Sequence, residues 1–231
     1  MLTLVQFQPA YGLLNASPFC MKVEVYCRLA KIPYQTEVLM NPGKAPKGKL
    51  PFIRHENHII ADSEYILDYL EQLFSVALDD GLSEGQKALA RTIRLMCEEH
   101  LYWTLLYNHW QDEKIWPQVR EVFFSGIPFP LNKLIGSTAR KRVIKQLYAA
   151  GMGRHTEAEI YASGVADVEA LAALLGNNEF MLGATATRVD ASVYASLANI
   201  VVPPLSSPVK DAIEKHANLM AYVGRMQALI S

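Results

Sequence analysis

Cysteine is scarce in this 231-residue chain: Cys20, Cys27 and Cys97 are the whole set, with no Cys-x-x-Cys pair and no histidines at finger-like spacing. That argues against a disulfide framework and against a structural zinc site, and no metal is expected. A dominant charge is lacking too. The 22 Lys and Arg against 23 Asp and Glu leave a net of −1, which speaks against a protein that coats nucleic acid or an anionic membrane. No run approaches the ~18 apolar residues of a membrane-spanning helix. The opening MLTLVQFQPAYG has neither the basic leader nor the apolar stretch of a signal peptide. What remains is ordinary globular usage, 51% hydrophobic and 19% charged. At roughly 100 to 200 residues per domain, the length fits one large domain or two small ones. The expectation is a soluble, cytoplasmic protein whose partner is a small molecule or another protein.

The hydrophobic pattern changes character along the chain. Leu2 to Phe7 reads as a strand, followed by a loop from Gln8 to Ala16. Ser17 before Pro18 is a helix start, because serine caps free amides and proline is tolerated at the first helical position. Val23, Tyr26, Cys27 and Ala30 then share one helical face, which Pro33 ends. Gln35 to Met40 reads as a second strand, NPGKAPKGK as a surface loop, and Leu50 to Arg54 as a third strand turning at Glu56 and Asn57 toward Ile59 and Ile60. Asp62 or Ser63 caps a helix carrying Ile66, Leu67, Leu70, Leu73 and Phe74 on one face.

After the polar stretch LDDGLSEG the chain reads as helical throughout. Gly85 to Gln111 is expected as one long helix, with Leu89, Ile93, Met96, Cys97 and His100 inward and Trp103, Tyr107 and Trp110 on a second face. His100 is expected as a buried, hydrogen-bonded histidine. Thr156 with Glu159 and Thr187 with Asp190 have capping-box spacing, and Pro203, Pro204 and Pro208 break the last third into shorter helices. The order strand, helix, strand, strand, strand, helix, then helices only, describes an α/β domain followed by an all-α domain. The basic residues Arg140, Lys141, Arg142, Lys145, Arg154 and His155 read as a solvated helix face and loop, with an anion site as the alternative.

Ser17-Pro18-Phe19-Cys20 resembles the active-site helix start of the serine-type glutathione transferases. Lys49-Leu50-Pro51 resembles the segment in which a cis-proline presents backbone groups to glutathione. Ala61-Asp62-Ser63 resembles the pair that holds the γ-glutamyl end, and residues 180–197, FMLGATATRVDASVYASL, resemble the capping-box segment of the helical domain. SPFCMKVEVYCRLAKIPY, KGKLPFI, EEHLYW and AGMGRHTEAEIYASGVAD place the likeness nearest the failed-axon-connections and metaxin-like branch, although, unlike in metaxins, no apolar C-terminal anchor is expected. The resemblance implies a thioredoxin-like domain over residues 1–77, a linker at 78–84 and an all-helical domain over 85–231. It also implies glutathione as co-substrate, a homodimer, and conjugation to a small hydrophobic electrophile, a detoxification chemistry.

That chemistry needs an anion. A thiol of pKa ~8.5 is mostly protonated at neutral pH, and lowering it by about two units takes about 3 kcal/mol of preferential interaction with the thiolate. On the resemblance, Ser17 offers its hydroxyl and the helix beginning at Pro18 offers its positive end, with the Phe19 and Cys20 amides as donors. Tyr11 and Cys20 are the alternatives to Ser17, which is otherwise only a cap. Lys49, with Lys44 or Lys47 behind it, is the candidate for the glycyl carboxylate. The backbone of Leu50 beside Pro51 would hold the middle of the tripeptide, and Asp62 with Ser63 its γ-glutamyl end. Trp103 and Tyr107 are candidates for the electrophile wall, or equally for core or dimer packing. Two rival readings use the same residues: a non-catalytic binding or protein-interaction module, and a glutathione-dependent peroxidase.

Overall fold

A computed structural model describes all residues 1–231. The first part of the chain is a sandwich of one sheet and two helices. β1 (Leu2–Gln6) is followed by α1 (Pro18–Leu29), β2 (Gln35–Val38), β3 (Phe52–His55), β4 (His58–Ala61) and α2 (Ser63–Phe74). The sheet order is β2-β1-β3-β4. β2 lies parallel to β1, with Thr3 opposite Gln35, while β3 and β4 run antiparallel, with Val5 opposite Phe52 and Ile53 opposite Ile60. This is a thioredoxin-like domain. The second strand is shorter than its sequence suggests, ending at Val38, and as an edge strand it leaves all four residues exposed.

The rest is helical: α3 (Glu84–Leu95), a π-helical turn (Met96–Leu101), α4 (Tyr102–Trp110), α5 (Trp116–Phe124), α6 (Leu131–Ala149), α7 (Glu157–Leu175), α8 (Arg188–Val201), α9 (Pro208–Lys215) and α10 (Ala217–Leu229). Both capping boxes form as spaced, and a third, Ser83 with Gln86, opens α3. α8 is the hub. Every residue from Val189 to Ile200 is buried, and α1 packs along it, so one continuous core runs from Leu4 and Val23 of the first domain to Leu171 and Tyr222 of the second.

The long helix expected over Gly85 to Gln111 is interrupted by the π turn. A π turn inserts extra residue per turn and rotates everything beyond it. The inward position after Cys97 is therefore Leu101 rather than His100, and Leu89 is exposed while its neighbour Ala90 is buried. Leu73 of α2, expected on the packed face, is 39% exposed.

Candidate active site

The chain turns into α1 through a loop whose position is fixed by Asn15, a fully buried residue. Its side-chain amide donates to the Phe7 carbonyl at 2.6 Å, its carbonyl oxygen accepts from the Ser17 amide at 3.0 Å, and its backbone carbonyl accepts from Asn199 of α8. Ser17 is thereby held at the start of α1, where its hydroxyl oxygen accepts a long 3.5 Å bond from the Cys20 amide. Pro18 has no N–H, and the Met21 amide is taken by the Ser17 carbonyl. Phe19 is left with the free amide of the first turn, at the positive end of the helix.

Leu50 and Pro51 sit beside this helix start, because Phe52 pairs with Val5 and so brings the preceding residues to the carboxyl end of β1. The Leu50–Pro51 bond is cis, and neither the N–H nor the C=O of Leu50 has a partner in the chain. At the start of α2, Asp62 adopts φ 91°, a conformation unusual for a non-glycine residue. Its Oδ1 accepts from the Glu64 amide at 3.0 Å, and its second oxygen is uncommitted. Ser63 is 5% exposed, and its hydroxyl makes no bond within the protein.

Phe19, Lys47, Lys49, Leu50, Pro51, Asp62 and Ser63 all line one open cleft of about 760 Å³, which continues between α2 and α3. Six residues proposed from sequence as glutathione contacts thus face one space: two free helix ends, an unpaired strand-edge peptide and the unpaired cation Lys49. Lys47 lies 4.8 Å above the Tyr65 ring, and Lys44 does not line the cleft.

The floor of the cleft holds residues that sequence reasoning missed. Lys22, in the middle of α1, is 1% exposed and reaches Glu64 at 2.5 Å and Glu98 at 2.7 Å. Arg94 bonds the same two carboxylates at 3.3 and 2.9 Å, and Ser192 donates to Glu98 at 2.8 Å. Arg188, at the start of α8, spans Glu64 and Asp68, both at 2.7 Å, and Glu71 at 3.0 Å. Burial raises the Glu64 carboxyl, but Lys22, Arg188 and Arg94 together outweigh that and hold it below the ordinary glutamate range. The network ties α1, α2, α3, the π turn and α8 together, and its members Glu64, Arg94, Glu98 and Arg188 line the cleft with Ser63. The available signal was a lysine at a core-facing position of an apolar helix, which is tolerated only when paired.

The aromatic wall differs from expectation. Tyr107 is buried against Tyr161, ring centroids 5.6 Å apart, with its hydroxyl toward Glu157, and Trp103 packs partly buried beside the helical core; neither lines the cleft. The ring that meets the active-site helix is Tyr102, edge-on to Phe19 at 4.9 Å, closing a hollow of about 10 Å³ with Pro18 and Cys97.

The alternatives to Ser17 are placed elsewhere. Cys20 is fully buried; burial dominates the hydrogen bonds from Phe7 and Ser17 and pushes its thiol up to about 12. Tyr11 lies under α5 against Phe123, 6.0 Å between rings, with its hydroxyl buried and unpartnered. His100 is half exposed rather than buried, bonded to Asp167 at 2.7 Å with the Ser163 hydroxyl 3.3 Å from its other nitrogen. Ser163 and Asp167 sit on the regular helix α7, where neighbouring amides are already bonded, so the trio lacks an oxyanion hole. No group of three or more His, Cys, Asp or Glu side chains is arranged to hold a metal.

Comparison with known proteins identifies the family. Residues 18–115 match the family described as "Glutathione S-transferase N-terminal domain", and residues 164–226 the "Glutathione S-transferase, C-terminal domain". An isoprene-epoxide glutathione S-transferase of Rhodococcus sp. (strain AD45) is 31% identical, covering 98% of each chain. Failed axon connections of Drosophila melanogaster is 30% identical over 97% of this chain and 56% of its own length, and human metaxin-2 is 24% identical over 93% and 82%. Among solved structures, glutathione transferase GSTFuA3 from Phanerochaete chrysosporium superposes with a TM-score of 0.68 at 17% identity, over 100% of this chain and 97% of that one.

Proposed function

The chain belongs to the glutathione S-transferase family, and from that premise we propose that it binds glutathione along the cleft and transfers it to a small electrophile. The carrying observation is that the free Leu50 peptide, the free Ser63 hydroxyl and the free Phe19 amide line one cleft. An extended tripeptide has complementary groups. Its cysteinyl backbone pairs with Leu50, its γ-glutamyl carboxylate takes the hydroxyl and amide of Ser63 with Asp62 on the amine, and its glycyl carboxylate takes Lys49.

The thiolate then falls at the start of α1, where the Ser17 hydroxyl and the Phe19 amide donate to it. Within the chain the Ser17 hydroxyl meets only the Cys20 thiol, a weak acceptor, so its proton can turn to the incoming thiolate. Conjugation proceeds by attack of the sulfur on the electrophilic carbon, with the leaving group or epoxide oxygen taking the bond electrons and then a proton. An epoxide is a fitting test substrate, given the activity named for the Rhodococcus relative. We place the protein in the cytoplasm as a homodimer.

Relatives named for axonal connection and as metaxins favour a second reading, in which the same cleft binds glutathione without turnover. The test is calorimetric titration with glutathione, followed by rates with an epoxide, an aryl halide and a hydroperoxide for the parent and Ser17→Ala proteins. Binding with turnover that falls at Ser17→Ala supports the transferase. Binding without turnover supports the second reading, turnover of the hydroperoxide alone supports a peroxidase, and no binding refutes all three.

A further inference from the structure

The hairpin of α5 and α6 falls between the two family-matched segments and has a surface that the transferase cleft does not explain. Its base is anchored. Trp116 and Phe124 pack on Trp110, and Arg140 donates to the carbonyls of Trp110 and Gln111, pairs with Glu113 and lies over the Trp116 ring. Arg140 is therefore a structural residue, not part of a solvated face.

The tip is not anchored. From Arg120 to Ile135 not one residue is buried. Phe129, held between Pro128 and Pro130, is 73% exposed, with Leu134 at 65%, Leu131 at 51% and Ile135 at 43%. Exposing so much large apolar surface in one place costs solubility unless something covers it.

The charge beside the tip is one-sided. Residues 114–149 hold seven lysines and arginines against one glutamate, a net of +6, so the remainder of the chain carries −7. The nearly neutral total conceals this asymmetry. Arg120, Lys133, Lys141, Arg142 and Lys145 have no carboxylate partner, and Lys133 lies over the Phe129 ring at 5.3 Å. Lys141 and Lys145 continue the helical face that Leu131 and Leu134 begin, at spacings of three, seven and four residues.

We propose that this hairpin docks the protein on an anionic lipid surface, with Phe129, Leu131 and Leu134 entering the headgroup boundary and Lys133, Lys141, Arg142 and Lys145 facing the phosphates. The distribution is that of interfacial elements: apolar side chains at the end, uncompensated cations immediately behind. A protruding apolar tip set between two prolines suits a deformable planar phase, and five unpaired cations select negative charge. No helix is long and apolar enough to cross a membrane, so the contact is peripheral.

The test is co-sedimentation of the full chain with vesicles of phosphatidylcholine alone or with about 30 mol% phosphatidylserine. The expected result is a partition coefficient at least ~10-fold higher on the anionic vesicles, weakened as NaCl rises from about 0.1 to 0.5 M. Phe129→Ser with Leu134→Ser should lower it at least ~10-fold, as should Lys141→Glu with Arg142→Glu, with glutathione affinity and thermal unfolding unchanged in both. All these positions are exposed, so both variants should fold. Absence of binding, equal binding to neutral vesicles, or full binding by either variant would overturn the proposal. So would conversion of a dimer to a monomer by the Phe129→Ser, Leu134→Ser variant in sedimentation velocity, which would make this face a contact between copies.

Discussion

Replacing Lys22 with methionine tests whether the ion network beneath the cleft, and not apolar packing alone, couples the two domains. Lys22 is 1% exposed and contacts Glu64 and Glu98 on two different helical segments. Removing one member of a buried ion pair costs ~3–5 kcal/mol, because the partner charge stays buried. Here Glu64 retains Arg94 and Arg188, and Glu98 retains Arg94 and the Ser192 hydroxyl. The expected loss is therefore at the low end, ~3 kcal/mol, which for a chain of this size lowers Tm by roughly 6–12 °C. Urea and thermal unfolding followed by circular dichroism measure it directly. The second variant, Lys22→Met with Glu98→Gln, removes the stranded charge and should recover about half of the loss or more. The pH dependence has a defined sign. A carboxyl held below its ordinary value contributes stability above that value, ~4.3 for glutamate, and the contribution disappears as pH falls through the lower folded value. Glu64 is such a group, so the parent and Lys22→Met curves should converge on acidification below about pH 4. A loss under ~1 kcal/mol at neutral pH, or curves that stay parallel, would refute the coupling role.

The other expectations are simpler to check. Ser17→Ala should cut turnover and move the acid limb of the pH–rate profile upward while changing glutathione affinity only a few-fold; Cys20→Ser should lower Tm without altering that profile, since its thiol is buried and pushed up to about 12. His109 is 7% exposed, and burial lowers its pKa to about 4. Its folded value is depressed, so folding is opposed as pH falls from ~6.5 to ~4, by about 3 kcal/mol in full, and His109→Asn should flatten that part of the stability profile measured by urea unfolding. Gly164→Ala should destabilise by ~1–3 kcal/mol in the same assay, because the added Cβ would lie 2.7 Å from Thr104 Cγ2 and 2.9 Å from Val209 Cγ2.

The sequence by itself determined the features that depend on a few neighbouring residues. The start of α1 at Ser17 and Pro18, the two boxes at Thr156 and Thr187, the turn at Glu56 and Asn57 and the element order are set by caps, proline and period, which act over three or four residues. The segment Lys49-Leu50-Pro51 and the pair Asp62-Ser63 were legible as motifs, and the cleft brings them together. Only the tertiary structure decided what depends on distant partners. The π turn at Met96–Leu101 has no local signature, yet it put Leu101 in the inward place expected for His100, and the ring that meets Phe19 is that of Tyr102. Lys22 finds its carboxylates 42 and 76 residues away, and no periodicity records that pairing. The α5–α6 tip shows its exposure only once the folded body is known, because Leu131 and Leu134 carry no local mark that separates them from core leucines. Short-range sterics and capping are written in adjacent residues, whereas burial and charge pairing are properties of surfaces that meet only in the folded chain.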